Sequence, residues 1–203
     1  MASLLLIRHG QSEWNALGRW QGQADPPLTE LGERQAKVAA TTLAGWPPEN
    51  AIEQVASSTL IRSRSTAETI AAHLGLPAPL LEPLLVERDA GEWSGLTKVE
   101  IEEQYPGYLA AGKRPPGYES DQDLLPRVIE GLKAVAAATT VERVATVVHG
   151  GVIYVLEEAF GLPFDRIGNL GAVDVSIVDG EIKLGDRVEL LGDEIEATVP
   201  DQI

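Results

Sequence analysis

Strands alternating with helices predict an α/β fold, a three-layer αβα sandwich with a mostly parallel central sheet and an antiparallel edge strand. Three observations carry this. Leu4 to Ile7 and Arg143 to Val148 are short unbroken runs, as expected of strands covered on both faces. Helical spacing of apolar residues follows such runs. Near the C-terminal end, Val173 to Val178 alternates, Asp179-Gly180 is a hairpin signal, and Ile182 to Leu191 returns.

Each element has a local reason. After the first strand, a Gly-, Asn- and Gln-rich loop runs to Pro27, and Thr29 is the N-cap candidate of a helix that carries Ala36, Ala39, Ala40 and Leu43 on one face and stops by Gly45-Trp46-Pro47-Pro48. Ile52 to Ala56 reads as a second strand. Ser57-Ser58-Thr59 then offers capping hydroxyls to a helix that ends at His73-Leu74-Gly75. Leu80 to Val86 reads as a further strand, confined to an edge or an irregular path by Pro79 and Pro83. Thr97 to Gly112 is a polar helical region broken at Pro106, followed by the loop Arg114-Pro115-Pro116-Gly117 and a helix from about Asp121 to Ala138. Gly150 turns the chain at once from the Arg143 strand into the apolar helix Val152 to Phe160. With no repeat and no linker, residues 1–203 are expected to form a single domain.

Composition excludes several functions. The 203 residues carry 16 Lys+Arg against 31 Asp+Glu, a formal charge of −15, with no segregated basic stripe, so nucleic acid and anionic membrane surfaces are not expected partners. The absence of Cys excludes disulfides, thiol catalysis and Cys-ligated zinc, and fits a reducing, cytoplasmic setting. No stretch approaches the roughly 20 apolar residues of a membrane helix. Leu4 to Ile7 is also far too short for a secretory signal. A homodimer is allowed but nothing in the sequence demands one.

In open parallel sheets ligands bind beyond the carboxyl ends of the strands. Arg8-His9-Gly10 follows the first strand, Arg62 lies in the first turn of the helix after the second, Glu87 follows the third apolar run, and His149-Gly150 follows the central strand. His73, the third of three histidines, sits near a helix end and is assigned no chemistry. Two imidazoles, two guanidiniums and a carboxyl group on one rim match the parts list for phosphoryl transfer through an enzyme nucleophile: cations for the equatorial oxygens, an in-line attacker and a proton donor. Nearby cations also favour the neutral, nucleophilic imidazole. A rival reading makes the histidines metal ligands with Glu87 or Asp89; it is weaker because two guanidiniums would repel a dication and no His-x-x-x-His run is present. No Gly-x-Ser-x-Gly, Walker or Gly-x-Gly-x-x-Gly motif occurs.

The segments Arg8-His9-Gly10-Gln11-Ser12-Glu13-Trp14-Asn15, Arg19-Trp20-Gln21-Gly22 and Leu28-Thr29-Glu30-Leu31-Gly32 resemble the opening of the histidine phosphatase superfamily, also called phosphoglycerate mutase-like. Ser57 to Ala67 resembles its second arginine segment, Glu87-Arg88 through Gly91-Glu92-Trp93-Ser94-Gly95 its acid segment, and Val148-His149-Gly150-Gly151 its second histidine. The resemblance implies that His9 attacks phosphorus, that Arg8, Arg62 and His149 hold the phosphoryl oxygens, and that Glu87 protonates the leaving group. It also implies phosphate contacts from Asn15, Gln21, Gly22 and Gly150, with neither metal nor cofactor. Gln11 stands where many members have Glu, and Asp89-Ala90 replaces a bulkier pair, which obscures the substrate. Thr66 is expected to orient Arg62, Arg64 to be a solvated charge, and Trp93 to anchor a core.

A lid-like insertion at about 97–120 is short, and Pro115-Pro116-Gly117-Tyr118-Glu119-Ser120 resembles the phosphatase branch. The expected activity is therefore that of a metal-independent phosphomonoesterase acting on a small phosphorylated metabolite through phosphohistidine. Phosphoglycerate mutase is the alternative, with Lys98, Lys113 and Arg114 as its extra cations, and a catalytically silent scaffold is the second. The acidic C-terminal region, with Asp186, Glu189, Asp193, Glu194, Glu196 and Asp201, is expected to be a solvated face and frayed end.

Overall fold

A computed structural model describes residues 2–192 and 195–199. Its strands are β1 (Ala2–Arg8), β2 (Gln54–Ser57), β3 (Leu80–Leu81), β4 (Arg143–Val148), β5 (Gly171–Val178) and β6 (Glu181–Glu189). Its helices are α1 (Glu13–Ala16), α2 (Glu30–Ala44), α3 (Ile61–Leu74), α4 (Lys98–Gln104), α5 (Asp121–Ala137) and α6 (Gly150–Ala159). The strand order is β3-β2-β4-β1-β5-β6. The first four strands in the chain are mutually parallel, and β5 runs antiparallel between β1 and β6. The expected sandwich is present, with the antiparallel member entering as a hairpin. Asp179 (φ 53°) and Gly180 (φ 81°) make its turn, where left-handed backbone matches the strand twist.

The unbroken apolar character of β1 follows from two-sided burial. Leu4 and Leu6 pack with α5 and α6, through residues such as Leu132 and Val152, while Leu5 and Ile7 pack with Ala39, Ala40 and Ile70 of α2 and α3. Each side chain fully removed from water contributes about 1.5–3 kcal/mol. The connections leaving β1 and β4 proceed to opposite sides and opposite faces of the sheet, which opens a crevice beyond the carboxyl ends of this pair.

The structure corrects four local expectations. The strand expected over Leu80 to Val86 pairs only at Leu80–Leu81; Pro83 has no N–H to donate, and Pro83–Leu85 instead form a 3-10 turn whose Leu84 N–H is capped by Glu82. The hydroxyls of Ser57, Ser58 and Thr59 do not cap α3. Its N-cap is Leu60, and Asp25 Oδ1 accepts from Ile61 N at 2.6 Å from across the fold. The helical region expected from Thr97 to Gly112 is helix only over Lys98–Gln104, ending before Pro106, with a capping box between Thr97 and Glu100. The C-terminal segment is not frayed at 195–199: Gln35 donates to Glu196 O at 2.9 Å and Asn169 N–H to Thr198 O at 2.9 Å. Asp193, Glu194 and Asp201 lie outside the described residues.

A second, small core sits above the crevice. Trp20, Trp93 and Ile101 are buried together, with Leu96, Tyr105, Tyr108, Leu109 and Tyr118 packed around them. Trp93 is fully buried, as its anchoring reading requires. Trp20 and Trp93 meet edge-to-face at 5.0 Å.

Candidate active site

Strand register brings the two histidines together. Arg8 is paired with Val148 across the parallel β1–β4 ladder, so His9 and His149 are the next residues on adjacent chains. His9 N–H continues the ladder to Val148 O at 3.1 Å, and the two rings lie 5.2 Å apart at 60°. Adjacent strands are roughly 4.8 Å apart, so the ladder alone sets this spacing.

Backbone contacts orient the His9 ring. Its Nδ1 lies 2.7 Å from Gly10 O, which accepts only if Nδ1 carries the proton, so Nε2 holds the lone pair. Arg62 Nε–H donates to that lone pair at 3.2 Å. The other guanidinium nitrogens of Arg62 donate to Ala24 O at 2.7 Å and Gly22 O at 3.0 Å. Thr66 does not reach the Arg62 guanidinium; its hydroxyl bonds Arg62 O and accepts from Gly10 N at 3.1 Å, supporting the His9 turn instead.

Arg8 is buried and donates to Ile167 O at 2.6 Å, while its Nε has no partner among the described residues. His149 Nε2 meets Ser58 Oγ at 2.6 Å, and its Nδ1 likewise has no partner there. Burial, then the charges of Arg62 and Arg8, hold the His9 pKa well below 6.5. Burial and the same arginines, with His9 between them in weight, do so for His149. Burial also lowers Arg62, to about 10, and lowers Arg8. Both imidazoles are thus neutral at pH 7 beside two guanidiniums that remain charged.

Glu87 closes the constellation. One carboxylate oxygen accepts from Arg88 N at 2.7 Å and the other from Gly151 N at 3.2 Å. A Cβ on Gly151 would stand 2.3 Å from Glu87 Oε1, so only glycine admits this approach. Arg127 of α5 pins the segment from behind, donating to the carbonyls of Leu84, Val86 and Glu87 and forking onto Glu119.

These groups gather at a partly open cavity lined by Arg8, His9, Asn15, Gln21, Gly22 and Glu87, among others. Arg62 and His149 are fully buried beside His9, Arg62 against its Nε2 and His149 ring to ring. Gly150 does not line the cavity; it is the buried first residue of α6, and the neighbouring Gly151 lines the cavity with its N–H bonded to Glu87. Asn15 Oδ1 accepts from Ser12 N and Asn169 Nδ2. Gln21 Oε1 accepts from Ser12 Oγ at 2.6 Å, and Gly22 adopts φ 52° with its Cα against Ala90, where a Cβ would clash at 2.6 Å. Neither Lys113 nor Arg114 lines the cavity. Their charges lie over the rings of Tyr108, and of Tyr118 and Trp93, respectively. His73 and Arg64 are exposed and remote, Arg64 paired with Glu68.

The sequence reading missed Ser58, Arg127 and Asn169, whose amide donates to His9 O at 2.8 Å, and the cavity walls formed by Arg19, Arg88, Trp20 and Tyr118. Ser58, Arg19, Trp20, Arg88 and Tyr118 stand within the motif segments but carry no local signal of their role, and Arg127 and Asn169 act from segments far away in the sequence. Among the described residues no three His, Cys, Asp or Glu side chains converge as metal ligands, and no helix is long and apolar enough to cross a membrane.

The comparisons with known proteins agree with this geometry. The family model of the histidine phosphatase superfamily (branch 1) matches residues 4–192. A glucosyl-3-phosphoglycerate phosphatase of Mycolicibacterium vanbaalenii is 34% identical over 183 residues, 84% of this chain and 79% of that protein. A metal-independent phosphoserine phosphatase of Arabidopsis thaliana is 36% identical over 160 residues, 75% of this chain and 66% of that protein. The solved structure of a mycobacterial glucosyl-3-phosphoglycerate phosphatase with VO3 superposes with a TM-score of 0.77 at 29% identity, covering 91% of this chain and 97% of that one.

Proposed function

The chain belongs to the histidine phosphatase superfamily, branch 1, and is a phosphoric monoester hydrolase; from that premise we propose that it cleaves a small phosphorylated metabolite, without metal, through a phosphohistidine on His9. The observation that carries this reading is the fixed tautomer of His9, whose Nε2 lone pair is held among charged guanidiniums by the Gly10 carbonyl behind it.

In the first half-reaction the Nε2 lone pair forms a bond to phosphorus as the bond to the ester oxygen breaks, and Glu87 delivers a proton to that oxygen. Arg62 Nε–H, which occupies the lone pair in the free protein, transfers its bond to a phosphoryl oxygen. The unpartnered Arg8 Nε and His149 Nδ1 receive the other oxygens. Arg8, Arg62 and His149 are buried, where a donor stabilises developing charge more strongly than it would in water. Asn15 offers its amide nitrogen, its oxygen being held by Ser12 and Asn169, and Gln21 and Gly22 offer backbone N–H groups.

In the second half-reaction water attacks phosphorus, Glu87 takes its proton, the N–P bond breaks and inorganic phosphate leaves. Ser58 supports His149 through Nε2 and so directs Nδ1 toward the transferring group. The hydrolytic rather than mutase outcome rests on the cavity walls, since Lys113 and Arg114 are drawn onto aromatic rings and do not line the cavity, where a second charged acceptor would have to be held. Rapid quench during turnover of a ³²P-labelled ester tests the reading: an acid-labile label on His9 is expected. Release of phosphate with no label on that residue would overturn it.

A further inference from the structure

The two ends of the cavity differ in how their cations are partnered. At the phosphate end, Arg8 and Arg62 bond backbone carbonyls and an imidazole, with no direct carboxylate contact among the described residues. At the outer end, Arg19 and Arg88 also line the cavity, yet each is tied to a carboxylate. Arg19 forks onto Glu100, at 2.8 and 3.5 Å, and also donates to Gly95 O. Arg88 pairs with Asp121 and donates to Glu119 O at 2.9 Å. Trp20, Ala90 and Tyr118 line the same cavity, with the Arg88 and Arg114 guanidiniums over the Tyr118 ring.

Resting on the hydrolase reading above, we propose that Glu100 and Asp121 are specificity determinants: by neutralising Arg19 and Arg88 they shape the site for phosphate esters whose remainder is an uncharged polyol or sugar, and against esters that carry a carboxylate beside the phosphate. A carboxylate reaching Arg19 or Arg88 would meet a cation already paired with Glu100 or Asp121 and would have to displace that carboxylate, in a protein whose net charge is −15. Hydroxyl groups face no such competition, and the C–H faces of a sugar pack on Trp20 and Tyr118.

Glycerol 3-phosphate and 3-phosphoglycerate isolate this feature, because they share a skeleton and differ in a hydroxymethyl against a carboxylate. Each is measured as a competitor of p-nitrophenyl phosphate hydrolysis and by the thermal shift it confers, which reads binding independently of turnover. In the unaltered enzyme the ratio of inhibition constants should favour glycerol 3-phosphate by about tenfold. Asp121→Asn and Glu100→Gln should each move that ratio several-fold toward unity, and Gln at position 100 still accepts from Thr97 N–H and so keeps the helix cap. The ratio is internal to each variant, so a change in overall activity does not distort it, and either variant alone decides if the other fails to fold. Parity or a preference for 3-phosphoglycerate in the unaltered enzyme, or a ratio that neither variant moves, overturns the proposal. A preference for 3-phosphoglycerate that Arg114→Ala removes would overturn it by naming that arginine as a carboxylate site. Absence of any p-nitrophenyl phosphate hydrolysis would instead strike the hydrolase reading, while the thermal shifts would still rank the two ligands.

Discussion

The rim formed by β1 and β4 and the aromatic core above it are built on different physical terms. On the rim, the backbone ladder fixes the chemistry: His9 and His149 are consecutive with paired strand residues, and the Gly10 carbonyl sets the His9 ring while Ser58 holds that of His149. In the upper core, side chains hold each other. Trp20, Trp93 and Tyr118 pack edge-to-face and Arg114 lies over two of the rings, with short helices and turns between. The catalytic rim is thus positioned by main-chain hydrogen bonds, and the wall above it by packing among aromatic side chains.

His9→Ala tests the rim most severely. Turnover and phosphoenzyme should fall together by roughly four orders of magnitude or more, with the melting temperature nearly unchanged; residual hydrolysis close to that of the native enzyme would show that another group attacks. Glu87 bridges the two regions, since its carboxylate is held by Arg88 and Gly151. Glu87→Gln should slow alkyl phosphates by about 10²- to 10⁴-fold and aryl phosphates, whose leaving groups need little protonation, far less. Equal losses on both would remove the acid role.

Gly151→Ala should act on the same step through position alone. The added methyl forces Glu87 Oε1 from a 2.3 Å encounter, and a displacement of this kind costs on the order of 10-fold to 100-fold in alkyl ester turnover. Steady-state rates with alkyl and aryl substrates check it, and an unaffected alkyl rate would show that Glu87 adapts freely.

Trp93→Ala probes the upper core. Deleting a fully buried indole costs about 3–5 kcal/mol, expected here as faster amide exchange over residues 90–118 and a raised KM, with phosphoenzyme formation from an aryl ester retained. Loss of both at once would mean that the two regions are one cooperative unit.

The smallest effect is that of pH. Both buried imidazoles hold pKa values well below 6.5, the value they regain on unfolding. In the window between the folded value and 6.5 the unfolded chain binds more protons, so stability rises with pH there and declines as pH falls below about 6.5. Melting temperatures from pH 7.5 to 5 should show this decline, and His149→Asn should flatten it. By the same shift, the acidic limb of kcat/KM should lie below the ordinary imidazole range.

The extent of what was legible follows from range. Two-sided burial of β1 and β4 is written in unbroken apolar runs, and the cap at Thr29 and the turn at Asp179-Gly180 are local chemistry, so all appear where expected. The capping expected of Ser57 to Thr59 failed because Asp25, distant in sequence, caps α3, leaving Ser58 to bind His149. The strand expected to Val86 failed because Pro83 breaks the ladder. The acidity that predicts a frayed end is local, whereas the partners of Glu196 and Thr198, namely Gln35 and Asn169, are distant in sequence.

By itself the sequence determined the layers of the fold, the strand ends that carry His9, His149 and the arginines, and the family through its ordered motifs, because hydrophobic periodicity and turn chemistry act over a few residues. Tertiary structure alone decided which atom of His9 is free to react, that Gly151 rather than Gly150 meets the acid, and which arginines keep their charge for a ligand. Those outcomes depend on partners dozens of residues away, and the energy of a charge or a lone pair is set by what stands within a few ångströms of it.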